Sequence, residues 1–187
     1  IDEFELALNS LKNNKSPGSD SIPNEILKLC GSEAMELLFD TVKMAWEKEE
    51  LPNDWYVSVI CPIFKKGDPA NCSNYRGISL LNSAYKVFSN ILYKRLLPYA
   101  EENVGEYQSG FRTGRSTIDQ IFVLRQILEK TVEYNVDTFH IFVDFKAAYD
   151  SVLRSGLYSA LNSLGVPAKL IHLVRAVMKS TKCHVKV

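Results

Sequence analysis

The residue with the clearest chemical potential is Asp144, the single formal charge in the apolar and β-favouring run TFHIFVDF at 138–145. Such a run is typical of a strand that is buried on both faces. A carboxylate at the carboxyl end of that strand needs a partner, so it is either a metal ligand or a capping or salt-bridged aspartate. Active sites collect at the mouth of a central sheet, which keeps metal ligation as a candidate role.

Asp144 alone does not make a metal centre. A two-metal site needs several oxygen ligands around ions that lie about 4 Å apart. Lys146 excludes a phosphatase-like Asp-x-Asp pattern, and Asp150 is better explained as a helix cap or turn residue. The four cysteines lack the short spacing of zinc sites, and the three histidines complete no ligand set.

A second group of chemically useful residues flanks a predicted hairpin. Strands are predicted over 56–64 and 75–81, joined by a loop of about ten residues, and loops of this length are often functional. Lys65, Lys66 and Arg76 border this loop. Lysine offers a compact charge to phosphate and arginine a bidentate grip. The pattern therefore indicates either a phosphate-binding hairpin or an ordinary solvated turn.

The segment QSGFRTGRST at 108–117 combines two glycines, two arginines and a predicted helix start. Glycine permits close backbone approach, arginine contacts phosphate, and a helix N-terminus favours anions. Thr117 and Gln120 have the spacing of a capping box for that helix. No Gly-Lys-Ser/Thr is present, so the segment is not a P-loop.

The remaining pattern predicts a helix-rich globular domain without a membrane span. Helices are predicted near 4–11, 23–30, 33–49, 84–96, from 117 onward, and at 153–163 and 167–179. The β-favouring residues 184–187 are predicted as an unpaired strand stub, which indicates a chain cut from something longer.

Charge is unevenly distributed in a chain whose net charge is zero. Residues 1–60 carry 5 basic and 12 acidic residues, whereas residues 61–125 carry 9 and 5, and residues 126–187 carry 8 and 5. A polyanion would therefore meet the middle and end of the chain, unless the asymmetry is ordinary surface fluctuation.

Taken together, these blocks resemble the reverse transcriptase of non-LTR (LINE-like) retrotransposons, in order and along nearly the whole chain. The matching blocks are LKNNKSPGSDSIPNEILK at 11–28, ICPIFKKGD at 60–68, NYRGISLL at 74–81, QSGFRTGRSTIDQI at 108–121 and FVDFKAAYDS at 142–151. The resemblance implies an opening block, the two arms of a fingers hairpin, a template-side block and the first catalytic motif of the palm.

The resemblance also implies roles for individual residues. Asp144 would be the catalytic Mg2+ ligand and the backbone carbonyl of Phe145 a second ligand. Tyr149 would be the steric gate that excludes ribonucleotides. The residues implied in binding the incoming dNTP are Lys65, Lys66, Arg76, Phe145 and Tyr149, with Arg76 preferred for the triphosphate. Those implied in supporting the template are Gly110, Phe111, Arg112 and Arg115.

The expected fold class is α+β, an incomplete right-hand polymerase with helix-rich fingers, a β-hairpin and the first strands of a palm sheet. One partial reverse transcriptase domain is expected over 1–187, with fingers and interleaved palm helices over about 1–135 and palm over about 136–187. The family's Tyr/Phe-x-Asp-Asp motif is absent from the sequence. The chain by itself is therefore expected to be inactive.

The implied function is RNA-directed DNA synthesis by a two-metal mechanism. The implied cofactor is Mg2+, and the implied partners are an RNA template, a DNA primer, dNTPs and the rest of a retrotransposon polyprotein. The expected location is the cytoplasm and nucleus. Two alternatives remain: a nucleic-acid-binding relic without chemistry, and a structural protein that self-associates through the strand at 138–145.

Overall fold

The computed structural model describes residues 1–179 and 181–186. The helices are α1 (Asp2–Asn9), α2 (Asn24–Leu29), α3 (Ser32–Lys48), α4 (Ser83–Asn103), α5 (Thr117–Glu133), α6 (Arg154–Ser163) and α7 (Ala168–Met178). The strands are β1 (Val57–Phe64), β2 (Tyr75–Leu80) and β3 (Lys182–Val185). Two short 3-10 turns, Asn53–Tyr56 and Cys72–Asn74, lead into β1 and β2. The α+β class is confirmed, and most predicted helix and hairpin boundaries agree within one or two residues.

The sheet has the strand order β2-β1-β3. β1 and β2 are antiparallel, with Ile63 opposite Arg76 and Phe64 opposite Tyr75. β3 pairs in parallel with β1, so Val57 faces Lys182. The prediction of an unpaired strand stub at 184–187 is therefore wrong, because His184 and Val185 belong to β3 and pair with β1. Val187 lies outside the described residues.

The core is built mainly by helices α1, α3, α4 and α7. Phe88 and Leu173 are fully buried at its centre. The rings of Trp46 and Trp55 pack against Phe88 with centroid distances of 6.2 and 5.6 Å. Apolar residues at helical spacing thus meet on facing sides of these helices, which is the source of most helix stability in proteins.

The loop between α1 and α2 is held against the start of α4 by buried polar side chains. Ser83 Oγ donates to the carbonyl of Ile22 at 2.7 Å, and Ser19 Oγ donates to Asn82 Oδ1 at 3.1 Å. A Cβ on Gly18 would overlap both the side chain and the backbone of Asn82. Glycine is therefore required where this loop approaches α4.

The predicted buried strand at 138–145 is wrong for this structure. The segment has no helix or strand assignment, and all its residues are exposed, with Phe139 95% and Phe142 80% accessible. Its apolar sequence is strand-like, but burial requires covering layers and paired backbone groups. The described residues supply neither to this segment.

No helix within the described ranges combines the length and the apolar character that crossing a bilayer would require.

Candidate functional site

The β1–β2 hairpin presents its cations at the end of the sheet. Lys65 directly follows β1, and its backbone N–H donates to the carbonyl of Asn74 at 2.8 Å, which extends the hairpin past the strand. Lys65, Lys66 and Arg76 are all exposed. The local pairing therefore places three solvent-accessible positive charges near the hairpin tip.

The loop at the tip is ordered by its own side chains. Asn74 Nδ2 donates to the carbonyl of Asp68 at 3.0 Å, and Tyr75 Oη donates to the carbonyl of Pro69 at 2.9 Å. Gly67 has a φ of 95°, and a Cβ there would lie 2.7 Å from Asn74 Nδ2. A loop fixed in this way has an ordered backbone without a ligand.

The loop between α4 and α5 is anchored by Arg112. Its Nη2 donates to Glu101 Oε2 at 2.6 Å, and its Nη1 donates to the carbonyls of Gly105 at 2.9 Å and Gln108 at 3.3 Å. The Arg112 side chain is only 9% exposed. Its hydrogen bond holds the pKa of the Glu101 carboxyl below the ordinary value and raises the pKa of Arg112. Arg112 is therefore tied into the loop.

Three further contacts shape the start of α5. Ser116 caps the helix by accepting from the backbone N–H of Ile118 at 3.1 Å, so the capping box predicted at Thr117 and Gln120 is wrong. Gln120 Nε2 instead donates to the buried Ser109 Oγ at 2.9 Å. Arg115 forms an ion pair with Glu106. The block at 108–117 is thus a loop held at both ends rather than a free basic segment.

The palm-like block follows the exposed segment and ends in a turn. Asp144 and Phe145 are exposed, and the turn that follows closes with the N–H of Ser151 donating to the carbonyl of Ala147 at 3.0 Å. Ala147 has a φ of 50°, in the left-handed region. No group of three His, Cys, Asp or Glu residues that could hold a metal occurs in the part of the chain that the structure describes.

One contact joins the template-like and palm-like blocks. The rings of Phe111 and Tyr149 meet edge to face, with centroids 6.4 Å apart and planes at 83°. Between described residues, no hydrogen bond or ion pair links the hairpin cations to this pair. The structure therefore brings together two of the predicted site residues, anchors Arg112 and Arg115 on glutamates, and leaves Asp144 alone.

Sequence reasoning missed Glu101 and Glu106, the carboxylates that hold the two arginines. The available signal was charge complementarity, because an acidic helix end is followed at once by an arginine-containing loop.

We expect Arg112→Lys to loosen the loop between α4 and α5. Lysine cannot reproduce the fork that bonds one carboxylate and two carbonyls at once. Backbone hydrogen exchange over 105–116 should become faster by about tenfold or more, since charged hydrogen bonds are the strong ones. Arg125→Lys is the matched control, because its pair with Glu129 is exposed on one helix face. Equal exchange in the Arg112 variant and the wild-type chain would contradict the anchoring role.

The ion pair between Arg112 and Glu101 predicts that the loop between α4 and α5 is sensitive to acid. The pKa of Glu101 is lower in the folded chain than in the unfolded chain. The stabilisation that its ionised carboxylate gives to the loop is therefore fully present above the unfolded pKa of about 4.3. It is lost as the pH falls through the lower folded pKa. Exchange over 105–116 should therefore accelerate in acid beyond the intrinsic pH dependence. The Glu101→Gln variant should lack this extra acid response.

The sequence of this chain matches a known protein family and several known proteins. The family described as reverse transcriptase (RNA-dependent DNA polymerase) matches residues 63–186. A probable RNA-directed DNA polymerase from transposon BS of Drosophila melanogaster is 28% identical over the whole chain. A probable RNA-directed DNA polymerase from transposon X-element of the same species is 30% identical over 93% of the chain. The transposon TX1 149 kDa protein of Xenopus laevis is 26% identical over the whole chain.

The chain covers 21%, 19% and 14% of the lengths of these three relatives, respectively. The residues matched by the family include β2, the last two residues of β1, the Arg112 loop and the Phe111–Tyr149 contact. The resemblance to non-LTR retrotransposon polymerases is thereby confirmed, and the chain belongs to the reverse transcriptase (RNA-dependent DNA polymerase) family, a family of nucleotidyltransferases.

Proposed function

We propose that this chain forms the fingers, over about 1–135, and the first part of the palm, over about 136–187, of an RNA-directed DNA polymerase from a non-LTR retrotransposon. The family match over residues 63–186 carries the proposal. The polymerase would copy an RNA template by extending a DNA primer with dNTPs. Extension of such a primer by the full-length polymerase that contains this chain tests it, and failure to extend would contradict it.

The proposed reaction is attack of the primer 3′-hydroxyl on the α-phosphate of the incoming nucleotide, with pyrophosphate leaving. Arg76, with Lys65 or Lys66, would bind the triphosphate. The ordered hairpin loop supports this role, because the backbone that carries these residues is already held before the nucleotide binds. Tyr149 would face the sugar and exclude a 2′-hydroxyl.

Mg2+ is the proposed cofactor of the complete polymerase, with the Asp144 carboxylate and the Phe145 carbonyl among its ligands. In the enzyme, the ion would stabilise charge on the reacting phosphate oxygens. The described residues do not make a complete ligand set, because they contain no group of three His, Cys, Asp or Glu residues that could hold a metal ion. We therefore propose that the isolated 187-residue chain does not catalyse nucleotide addition.

The template-side roles divide between contact and support. Arg112 has its guanidinium bonded to Glu101 and two carbonyls, so it would support the template by shaping the loop around Gly110 and Phe111. Arg115 is 39% exposed and its single glutamate partner is more exposed still. An exposed ion pair is weak, so Arg115 could exchange Glu106 for a phosphate at low cost.

The alternative function is nucleic-acid binding without chemistry. The observation that favours it for the isolated chain is the combination of exposed hairpin cations with the lone Asp144. In either case the remaining polyprotein is a proposed partner, and the cytoplasm and nucleus are the proposed locations.

We expect the isolated chain to bind an RNA–DNA duplex with steep salt dependence. The logarithm of affinity should fall linearly with the logarithm of salt concentration, because phosphate contacts release counterions. Replacing Lys65, Lys66 and Arg76 together with glutamine should reduce the slope by about 2 to 3, since each phosphate contact contributes about 0.9. Fluorescence anisotropy across a salt series measures both slopes.

A charge-matched control tests the location of this binding. Lys12, Lys43 and Lys48 are exposed in the acidic amino-terminal part of the chain. Their combined replacement with glutamine should leave the salt slope nearly unchanged. A slope that falls equally in both triple variants would show that net charge, rather than the hairpin, governs binding.

A further inference from the structure

Two aromatic side chains from distant parts of the sequence meet at the surface. Phe111 and Tyr149 are in edge-to-face contact at 6.4 Å, within the range in which aromatic pairs attract each other. Phe111 is 96% exposed and Tyr149 is 79% exposed. The contact is therefore not a consequence of core packing, and neither ring is there to stabilise the hydrophobic core.

The backbone on the Phe111 side is fixed. Phe111 has a φ of 59°, a left-handed conformation that is uncommon for a bulky residue and persists only where its surroundings impose it. The next residue, Arg112, is bonded to Glu101 and to the Gly105 carbonyl. This anchor holds the loop in the conformation that turns the Phe111 ring outward.

The backbone on the Tyr149 side is also held in a turn. The N–H of Ser151 donates to the carbonyl of Ala147, and Ser151 Oγ donates to the carbonyl of Ala148 at 3.0 Å. Tyr149 lies inside this turn, so the backbone that carries its exposed ring is held. The edge-to-face contact with Phe111 lies beside that ring.

We propose that Phe111 is a positioning residue for Tyr149 and thereby sets how strongly the polymerase prefers deoxynucleotides over ribonucleotides. This inference rests on the proposed function, in which Tyr149 is the steric gate. A gate excludes a 2′-hydroxyl by clash only if its ring cannot swing aside. Phe111 supplies the lateral contact that holds the ring in place.

The test uses the full-length polymerase that contains this chain and compares single-nucleotide incorporation of dNTPs and rNTPs on one RNA template. Phe111→Ala should lower the ratio of kcat/KM for dNTP to that for rNTP by about threefold to tenfold, the equivalent of one aromatic pair. Phe111→Tyr, which keeps the ring, should retain the wild-type ratio. Tyr107→Ala is the control, because Tyr107 is an 83% exposed ring in the same loop.

A double variant separates positioning from other roles. Tyr149→Ala should lower discrimination more than Phe111→Ala does, and adding Phe111→Ala to it should cause no further loss. Equal loss of kcat/KM for both nucleotide types in Phe111→Ala would indicate a template or structural role and overturn the inference. So would independent, multiplicative effects of the two substitutions.

Failure of the underlying proposal has a different signature. If the wild-type polymerase does not extend a primer, the proposed function is wrong. If it does, but Tyr149→Ala leaves discrimination intact, the gate assignment is wrong and Phe111 has no gate to position. If Tyr149→Ala abolishes discrimination and Phe111→Ala leaves it intact, the positioning role alone is wrong.

Discussion

In the full-length polymerase, Asp144→Asn should lower kcat for nucleotide addition by about a thousandfold or more, since a metal ligand, the role proposed for Asp144, supports several kcal/mol of transition-state stabilisation. The KM for dNTP and the affinity for primer–template should change little, because the hairpin cations and the template-side loop are untouched. Single-turnover primer extension, with binding measured separately, distinguishes these quantities.

Asp144 offers a clean test because it is exposed and makes no contact on which the described fold depends. The substitution should therefore leave thermal stability unchanged. Asp137→Asn is the matched control, an exposed carboxylate earlier in the same connecting segment. Retention of a tenth or more of the wild-type rate in Asp144→Asn would exclude this residue from the reaction centre.

The largest expected effect on stability is that of Phe88→Ala. Phe88 is fully buried where α4 meets α3 and the turn before β1, and both tryptophans pack on its ring. Its loss should reduce the free energy of unfolding by about 3 to 5 kcal/mol, the cost of removing a buried ring and leaving a cavity. That is a large part of a typical domain stability of about 5 to 15 kcal/mol.

Urea unfolding of the 187-residue chain, followed by tryptophan fluorescence, measures this loss. Because the chain has two tryptophans and both contact Phe88, the signal reports this core directly. If Phe88→Ala does not fold, Phe88→Leu provides the intermediate case, with a loss below about 1.5 kcal/mol if the core repacks. Phe139→Ala is the exposed control and should change stability by less than about 0.5 kcal/mol. Equal losses at Phe88 and Phe139 would contradict the core assignment.

Much of the secondary structure is encoded locally. The apolar stripe that contains Val87, Phe88 and Ile91 predicts α4, and Pro52 and the turn residues after Phe64 limit α3 and β1. Helix periodicity and turn chemistry depend on neighbours within a few residues, so they can be recognised in sequence. The hairpin cations follow from the same local pattern, and the order of the blocks identifies the family.

Contacts between distant residues were not predictable in this way. The pairing of Arg112 with Glu101, at the end of the preceding helix, is one such contact. The Phe111–Tyr149 contact depends on a left-handed backbone at Phe111 and a turn around Ala147, neither of which leaves a clear sequence signal. These features arise from tertiary structure, because each needs two segments to be positioned independently of their local propensities.

The strands show most clearly that local composition and tertiary pairing are different kinds of information. Residues 138–145 have the composition of a buried strand, yet they are exposed and unpaired among the described residues, whereas the short strand β3 pairs with β1. Composition determines that a segment is able to form a strand. Whether it does so depends on a neighbour that can pair its backbone groups and cover its side chains, and that neighbour is a property of the fold.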